Sequence, residues 1–467
     1  MKVEILSKEI IKPCTPTPPS LSTYNLSLMD ELAPNLNVPT IFYYSAPDQE
    51  SADEVALRYK HLKTSLSKIL TTFYPFAGRY RAESYLVDCS DQGAEYVEAK
   101  VDIRLDDLVS QRTDVKAELL NELLPYPIGA IDEYEDPLLA VQVSGFSCGG
   151  FAIGICSSHR IADVSTTIAF VNAWATAAKQ ELGQVDESYV PEPYKFDSAS
   201  LLPGLKLMAG LPSGMSRDKE NYEVHKVSTK MFYFPNSTIS SIQERARLND
   251  SSKLPSRVQS VFGIIGKTIV DLHVADLEEP KGYILTETVN IRGKTNPPLH
   301  KNQFGNLYQI AHAQGVASPK TGVELSSYVD DLSKSVKKAM NFCGMLTSGE
   351  EGQAAMTNEF FALLKNLSAI PDIYFVGMFT SWCTFPFYEA DFGWGKPVWF
   401  SVANVPMKNT VVLIDDKSGE GIEAWVNLDE TDMQKFIAHS NIADLNLGVE
   451  PSVPHPIIQS KKIMYFP

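Results

Sequence analysis

Apolar residues recur at helical spacing through Ala52–Phe73, at Val55, Leu57, Leu62, Leu66, Ile69 and Leu70. That period predicts an amphipathic helix, and Tyr74-Pro75 stops it, because proline has no amide to donate. Val164–Gln180 predicts a second helix, with Asp163 as its candidate N-cap. Other segments follow a strand-like pattern. Tyr85–Cys89 and Ala94–Val101 read as strands, and Leu138–Val143 and Phe151–Ser157 read as a hairpin around Ser147-Cys148-Gly149-Gly150. From about Asp186 to Glu223 the pattern fades and Pro191, Pro193, Pro203 and Pro212 accumulate, which marks an interdomain linker. Beyond it, strands are predicted at Thr229–Phe234, Ile284–Ile291, Ile373–Phe379, Val398–Val405, Thr410–Ile414 and Gly421–Val426. Helices are predicted over Ser237–Arg247, Val258–Ala275, Leu325–Met340 and Asp429–His439, and Gly448–Pro467 reads as a loose tail. The pattern predicts mixed α/β structure in two halves joined by a long segment.

Composition narrows the partners. The chain has 467 residues, enough for two or three domains of ~150 residues, with 44% hydrophobic and 21% charged positions. Its 41 basic and 57 acidic residues give a net charge of −16, which argues against nucleic acid and against anionic membranes as main partners. The six cysteines include no C-x-x-C pair and no zinc-ligand spacing. The opening MKVEILSKEIIKP has no long apolar core, so no secretory signal is expected. No stretch approaches ~18 uncharged apolar residues, so no membrane span is expected, and the expected compartment is the cytosol.

Of eight histidines, His159 stands out, because it ends an apolar β-prone run just before a helix. Rigid strand ends hold side chains at clefts, and histidine is the commonest general base near neutral pH. Asp163 lies four residues on, in His159-Arg160-Ile161-Ala162-Asp163. It has two readings: it orients the imidazole, or it caps the next helix and ties down the loop. One such H-x-x-x-D match is expected by chance in about 0.4 of chains of this composition, so the motif alone does not separate a catalytic from a structural histidine. Asp391-Phe392-Gly393-Trp394-Gly395 reads as a tight packed turn, since nothing in it is a good nucleophile or base. There is no dinucleotide fingerprint, Walker A loop, G-x-S-x-G elbow or H-E-x-x-H.

The pair His159…Asp163 and Asp391–Gly395, in this order, resembles the HxxxD and DFGWG motifs of the plant BAHD family of CoA-dependent acyltransferases. Phe73–Arg79, Val87–Cys89, Val289–Arg292, Phe304-Gly305-Asn306 and Ser381-Trp382 also look like that family, and the resemblance runs from about Val3 to about Leu447. Leu26–Asp30, Thr15–Pro18, Phe196–Leu201 and Ser213–Ser216 look most like its alkaloid O-acetyltransferase branch. The resemblance implies a two-domain, chloramphenicol-acetyltransferase-like α/β fold with mixed sheets, flanking helices and a channel between domains. It implies an N-terminal domain over residues 1–190, a crossover loop over 191–223, a C-terminal domain over 224–447 and a tail over 448–467. His159 would deprotonate the acceptor alcohol, which attacks the thioester of acetyl-CoA in a ternary complex. Asp163 would pair with Arg292 away from the reaction, and Asp391, Gly393, Trp394 and Gly395 would be structural. Lys253, Ser256 and Arg257 would meet the CoA phosphates, and Thr40, Phe42, Ser381, Trp382 and Thr384 would line the acceptor pocket. The implied partners are an acyl-CoA donor and a small-molecule alcohol, with no metal, no permanently bound cofactor and a monomeric state.

Two positions depart from the family pattern. The family commonly has arginine where Thr384 stands, and that arginine grips the acceptor carboxylate in the hydroxycinnamoyl-shikimate branch, so shikimate and quinate are disfavoured. The same branch has hydroxyls where Val38, Thr40 and Phe42 give a more apolar wall. Gly266 stands where tryptophan usually precedes the lysine, which leaves a cavity or a rebuilt pocket. Three hypotheses follow: acetyl transfer to an alkaloid; another acyl donor, or a terpenoid or amine acceptor; and a binding protein that keeps the fold without turnover.

Overall fold

The computed structural model describes residues 1–46, 51–126, 136–185, 192–205, 227–247, 253–275, 277–319, 322–369, 373–405, 407–445 and 447. The predicted tail and most of the predicted crossover segment, including Ser213–Ser216, lie outside the described residues.

Fifteen strands are described: β1 Val3–Ile11, β2 Thr23–Asn25, β3 Asn37–Tyr44, β4 Arg79–Arg81, β5 Leu86–Asp88, β6 Ala94–Val101, β7 Leu139–Phe146, β8 Phe151–Ser158, β9 Val227–Phe234, β10 Lys281–Asn290, β11 Tyr308–Ala317, β12 Ile373–Ser381, β13 Trp399–Ser401, β14 Thr410–Asp415 and β15 Ile422–Asp429. They form two six-stranded mixed sheets, ordered β1-β6-β7-β8-β3-β13 and β11-β10-β12-β14-β15-β9, and a small sheet β2-β5-β4. This is a two-domain α/β fold. The domains interlock, because β13 leaves the second half of the chain to pair with β3 at the edge of the first sheet.

Period-two alternation sorts the second sheet into two faces. Met231, Tyr233, Val412, Ile414 and Trp425 join the core of the first half, beside Tyr43, Phe400 and Trp399. Their neighbours Phe232, Phe234, Val411, Leu413, Ala424 and Val426 pack with Phe262 and Tyr328, on the helices Arg257–Val274 and Leu325–Met345. Strands β10, β12 and β14 run parallel to one another, so Asn290, Ser381 and Asp415 share one carboxyl edge. In open α/β sheets that edge is where ligands bind.

The predicted helices over Ala52–Phe73 and Val164–Gln180 are present as Ala52–Thr72 and Val164–Glu181. Five strands and six α-helices go beyond the periodic signal, among them the three-residue β2 and β4 and five helices of four to six residues, too short to show a period. β1 is an edge strand exposed at most positions, with a register shift between Ile5 and Ser7, so it never alternates cleanly. β3 contains Pro39, which normally argues against an interior strand. Here β13 pairs only with Ile41–Tyr43, so Pro39 has no partner strand on that side to supply. β11 carries Gln309, His312 and Gln314 and reads as polar, and Glu350–Ala369 begins on two glutamates and a glycine. The strand predicted over Val398–Val405 is shorter, Trp399–Ser401.

Glu287 on β10 is buried, and among the described residues its Oε2 has no hydrogen-bond partner. Burial pushes its carboxyl up to about 7. A raised carboxyl stabilises the fold fully below the ordinary carboxylate range, and that contribution is lost as pH rises through about 7. Glu287→Gln is therefore expected to raise the melting temperature over wild type by an increment that grows between pH 5 and pH 8. Thermal denaturation at the two pH values checks this, and an increment that does not change with pH contradicts it.

Candidate active site

His159 directly follows β8, and its backbone N–H donates to Leu36 O at 2.9 Å, so the strand end is tied to the segment before β3. Its ring is half-buried, edge-on to Tyr308 at 6.2 Å between centroids. Tyr308 opens β11 opposite Asn290, which places the imidazole at the carboxyl edge of the parallel strands. Nδ1 lies 2.9 Å from Asn306 Oδ1. That oxygen can only accept, so Nδ1 carries the hydrogen and Nε2 is left to take a proton. Burial holds the imidazole below its usual range, against the pull of Asp163 and Asn306, so the ring is neutral at pH 7.

Asp163 does not bond to the imidazole. Its Oδ1 accepts from Thr166 N at 2.8 Å and so caps the Val164–Glu181 helix. Arg292 closes a bidentate pair on it, Nη1 to Oδ2 at 2.7 Å and Nη2 to Oδ1 at 3.1 Å, and Leu307 N adds a fourth bond at 3.0 Å. Burial would raise this carboxyl, but the Arg292 guanidinium and the two backbone donors outweigh it and hold it below the ordinary range. Arg292 also donates to Gln303 O, Gly305 O and Thr166 Oγ1. The pair thus clamps the 303–307 segment of the second half onto the helix behind His159. Of the two readings open in the sequence, the geometry is that of the cap and tie.

Asp391–Gly395 is remote from the histidine. Gly393 and Gly395 have φ of +104° and +105° and donate their amides to Asp391 Oδ1 at 2.9 and 3.0 Å, while Lys179 Nζ reaches Oδ2 at 3.1 Å. Phe392 packs on Trp174, and Trp394 stands edge-on to Phe151 beneath the Arg58 guanidinium. Phe151 opens β8 and His159 follows its end, so ~25 Å of strand separates turn and base.

The expected pocket residues are spread along the sheets. Thr40 and Phe42 lie on β3, opposite Ile155 and Ile153. Both are buried; Phe42 packs on Phe400 and Phe387, and Thr40 Oγ1 has no hydrogen-bond partner among the described residues. Ser381 ends β12, and Trp382 is buried beside Phe387. Thr384 is exposed, with φ +70° and its N–H donating to Asp415 Oδ2 at 2.7 Å. At the same edge Ser256 Oγ caps the Arg257–Val274 helix by accepting from Gln259 N. Arg257 is committed internally, to Asp415 and to the carbonyls of Gly419, Glu420 and Gly421. Lys253 is exposed just ahead of them.

Asn306 and Tyr308 are the site residues that the sequence did not assign. The string Phe304-Gly305-Asn306 marks the place, but no spacing rule brings it to His159, 147 residues earlier.

A profile of the Transferase family matches residues 1–442. Salutaridinol 7-O-acetyltransferase of Papaver somniferum is 34% identical over 95% of this chain and 98% of its own length. Vinorine synthase of Rauvolfia serpentina is 34% identical over 92% and 95%, and its crystal structure superposes with a TM-score of 0.76 over 95% of this chain and 98% of that one, at 32% identity. The chain is a BAHD-family acyltransferase. The family also reaches other donors: a malonyltransferase acting on a pelargonidin glucoside in Salvia splendens is 33% identical over 93% of this chain and 97% of its length.

As a BAHD protein it has repacked one position. A Cβ on Gly266 would lie 2.3 Å from Tyr328 Oη and 3.1 Å from Phe379 Cζ. The buried Tyr328 side chain stands where a side chain at Gly266 would begin, so the place is packed by a neighbour at the Cβ direction. Among the described residues no helix is long and apolar enough to cross a membrane, and no group of three or more His, Cys, Asp or Glu is placed to hold a metal ion.

Proposed function

We propose that this BAHD acyltransferase moves an acetyl group from acetyl-CoA to a hydroxyl of a plant alkaloid, with His159 as general base in a ternary complex. The observation that carries this reading is the neutral, half-buried His159 with its proton on Nδ1 and Nε2 free to act. An alcohol is too weak a nucleophile unaided; Nε2 takes its proton as the oxygen attacks the thioester carbonyl. The tetrahedral intermediate collapses, the carbon–sulfur bond breaks, and the thiolate recovers the proton from the imidazolium. No acyl-enzyme is required.

Asp163 and Arg292 serve by clamping the segment that carries Asn306. The phosphates of CoA would meet Lys253 and the amides at the start of the Arg257–Val274 helix, where the dipole favours anions. Arg257 shapes that mouth through its bonds to Asp415 and Gly419–Gly421. Thr40, Phe42, Ser381, Trp382 and Thr384 would wall the route to the base. Thr384 supplies no cation for a free carboxylate, which favours acetyl over malonyl and a carboxylate-free acceptor. The six unpaired cysteines favour a reducing cytoplasmic setting, where we place the enzyme as a monomer.

The test is to incubate the purified protein with a panel of acyl-CoAs and alcohols and to follow product mass. Acetyl-CoA with an alkaloid alcohol is expected to give the acetyl ester as the main product. A preference for malonyl-CoA, or for non-alkaloid alcohols, would correct donor or acceptor; no turnover of any pair contradicts the reading.

A further inference from the structure

Asp30 lies in the five-residue helix Leu28–Leu32, which Ser27 caps. Its Oδ2 accepts from Ser27 N at 3.0 Å and Ser27 Oγ at 2.7 Å, an ordinary capping box. Its Oδ1 faces elsewhere. It accepts from Asn306 N at 2.7 Å and from Asn306 Nδ2 at 2.9 Å, across 276 residues of sequence. Asn306 Nδ2 gives its second hydrogen to His159 O at 2.7 Å, which leaves Asn306 Oδ1 turned to His159 Nδ1. Only 2% of the Asp30 surface is exposed.

We infer that Asp30 is a positioning residue for the acyl transfer: its carboxylate locks the Asn306 side-chain amide so that His159 keeps its hydrogen on Nδ1 and presents Nε2 as the base. The inference rests on the reading of His159 as general base. An asparagine amide has two orientations of nearly equal shape, and the surrounding donors and acceptors decide between them. In the flipped orientation Oδ1 would face the Asp30 carboxylate and the His159 carbonyl, two acceptors against a third. Its NH₂ would face Nδ1 and drive the hydrogen to Nε2, the wrong tautomer for deprotonating an alcohol. Capping does not account for Asp30 by itself. A serine cap over so short a helix needs no second carboxylate oxygen aimed at a residue of the other half of the chain. Burial raises the carboxyl and the four donors partly offset it, leaving it at about 6, so it is ionised at neutral pH.

The experiment uses Asp30→Ala in the full chain, because an asparagine there would keep an oxygen able to accept both bonds from Asn306; Met29→Ala is the control. Met29 is a buried core residue of the same short helix and is absent from the Asp30 hydrogen bonds. Asp30→Ala is expected to lower kcat about 10–100-fold, the effect typical of partners one layer out from a functional histidine. KM for both substrates is expected to stay within about threefold of wild type, as for a residue that acts only on the reacting state. Nitrogen-15 NMR of histidine-labelled protein, with His159→Ala assigning the signal, is expected to show the Nδ1–H tautomer in wild type and its loss in Asp30→Ala. Met29→Ala is expected to lose melting temperature and keep both kcat per folded molecule and the tautomer. A kcat for folded Asp30→Ala within about twofold of wild type overturns the inference. So does an unchanged tautomer in that variant, or an Nε2–H tautomer in resting wild type, a reading that stands even where Asp30→Ala does not fold. The NMR needs no substrate, and His159→Ala separately reports on the base: an inactive His159→Ala beside a fully active Asp30→Ala removes Asp30 alone.

Discussion

His159→Ala is expected to lower turnover by ~10²–10⁴-fold, the usual contribution of a positioned general base. The side chain is half-buried at the end of β8, and among the described residues its ring bonds only to Asn306, so truncation leaves the clamp between Asp163 and Arg292 in place. The melting temperature should therefore change little. The loss should fall on kcat and on kcat/KM alike, because the proton transfer exists only in the transition state. Steady-state kinetics with the preferred pair, beside thermal denaturation, checks both statements. An unaltered rate removes His159 from the mechanism.

Asp163→Asn is expected to be strongly destabilising, by about 3–5 kcal/mol, because it leaves the buried Arg292 guanidinium without its counter-charge. The carboxylate accepts four hydrogen bonds, two from Arg292 and one each from Thr166 N and Leu307 N. An amide must turn its NH₂ toward one pair of those donors, so at least one bond is lost and a repulsion replaces it. Activity should fall with it, since Gly305, Asn306 and Leu307 hang from the same clamp. The carboxyl sits below the ordinary range in the fold, so its contribution is present above the unfolded value and is lost as pH falls through the folded one. Wild type and variant should accordingly converge in stability toward acid. A variant with wild-type melting temperature and full activity would contradict the clamp.

Periodicity carried the elements whose environment is one-sided. The Ala52–Thr72 helix buries one stripe, the Val164–Glu181 helix leaves only a narrow stripe half-buried, and Ala94–Val101 is buried except at Glu98 and Lys100, so all three stand close to the predicted bounds. It did not carry β3, which is buried on both faces, β11, whose buried face includes the polar Gln309, or the Glu350–Ala369 helix, whose first turn is acidic. His159 was legible because a strand end and a helix cap lie four residues apart in sequence. The pairing of Asp163 with Arg292, across 129 residues, entered only by family resemblance, and its geometry agrees with that expectation. Asn306 and Asp30 stand in family-like strings that assign them no role. They meet His159 through the crossing of the two halves, which no local spacing encodes. The Gly266 departure shows the same limit from the other side: sequence marked a missing tryptophan, and only packing shows Tyr328 in its place.

The most direct test of direct transfer by a histidine base is the release of CoA from acetyl-CoA by the purified protein, followed with and without an acceptor alcohol. Release that requires the alcohol, shows no burst in its absence and collapses in His159→Ala is the expected result. A burst of CoA without alcohol, equal in amount to the enzyme, would reveal an acyl-enzyme and contradict the ternary-complex account.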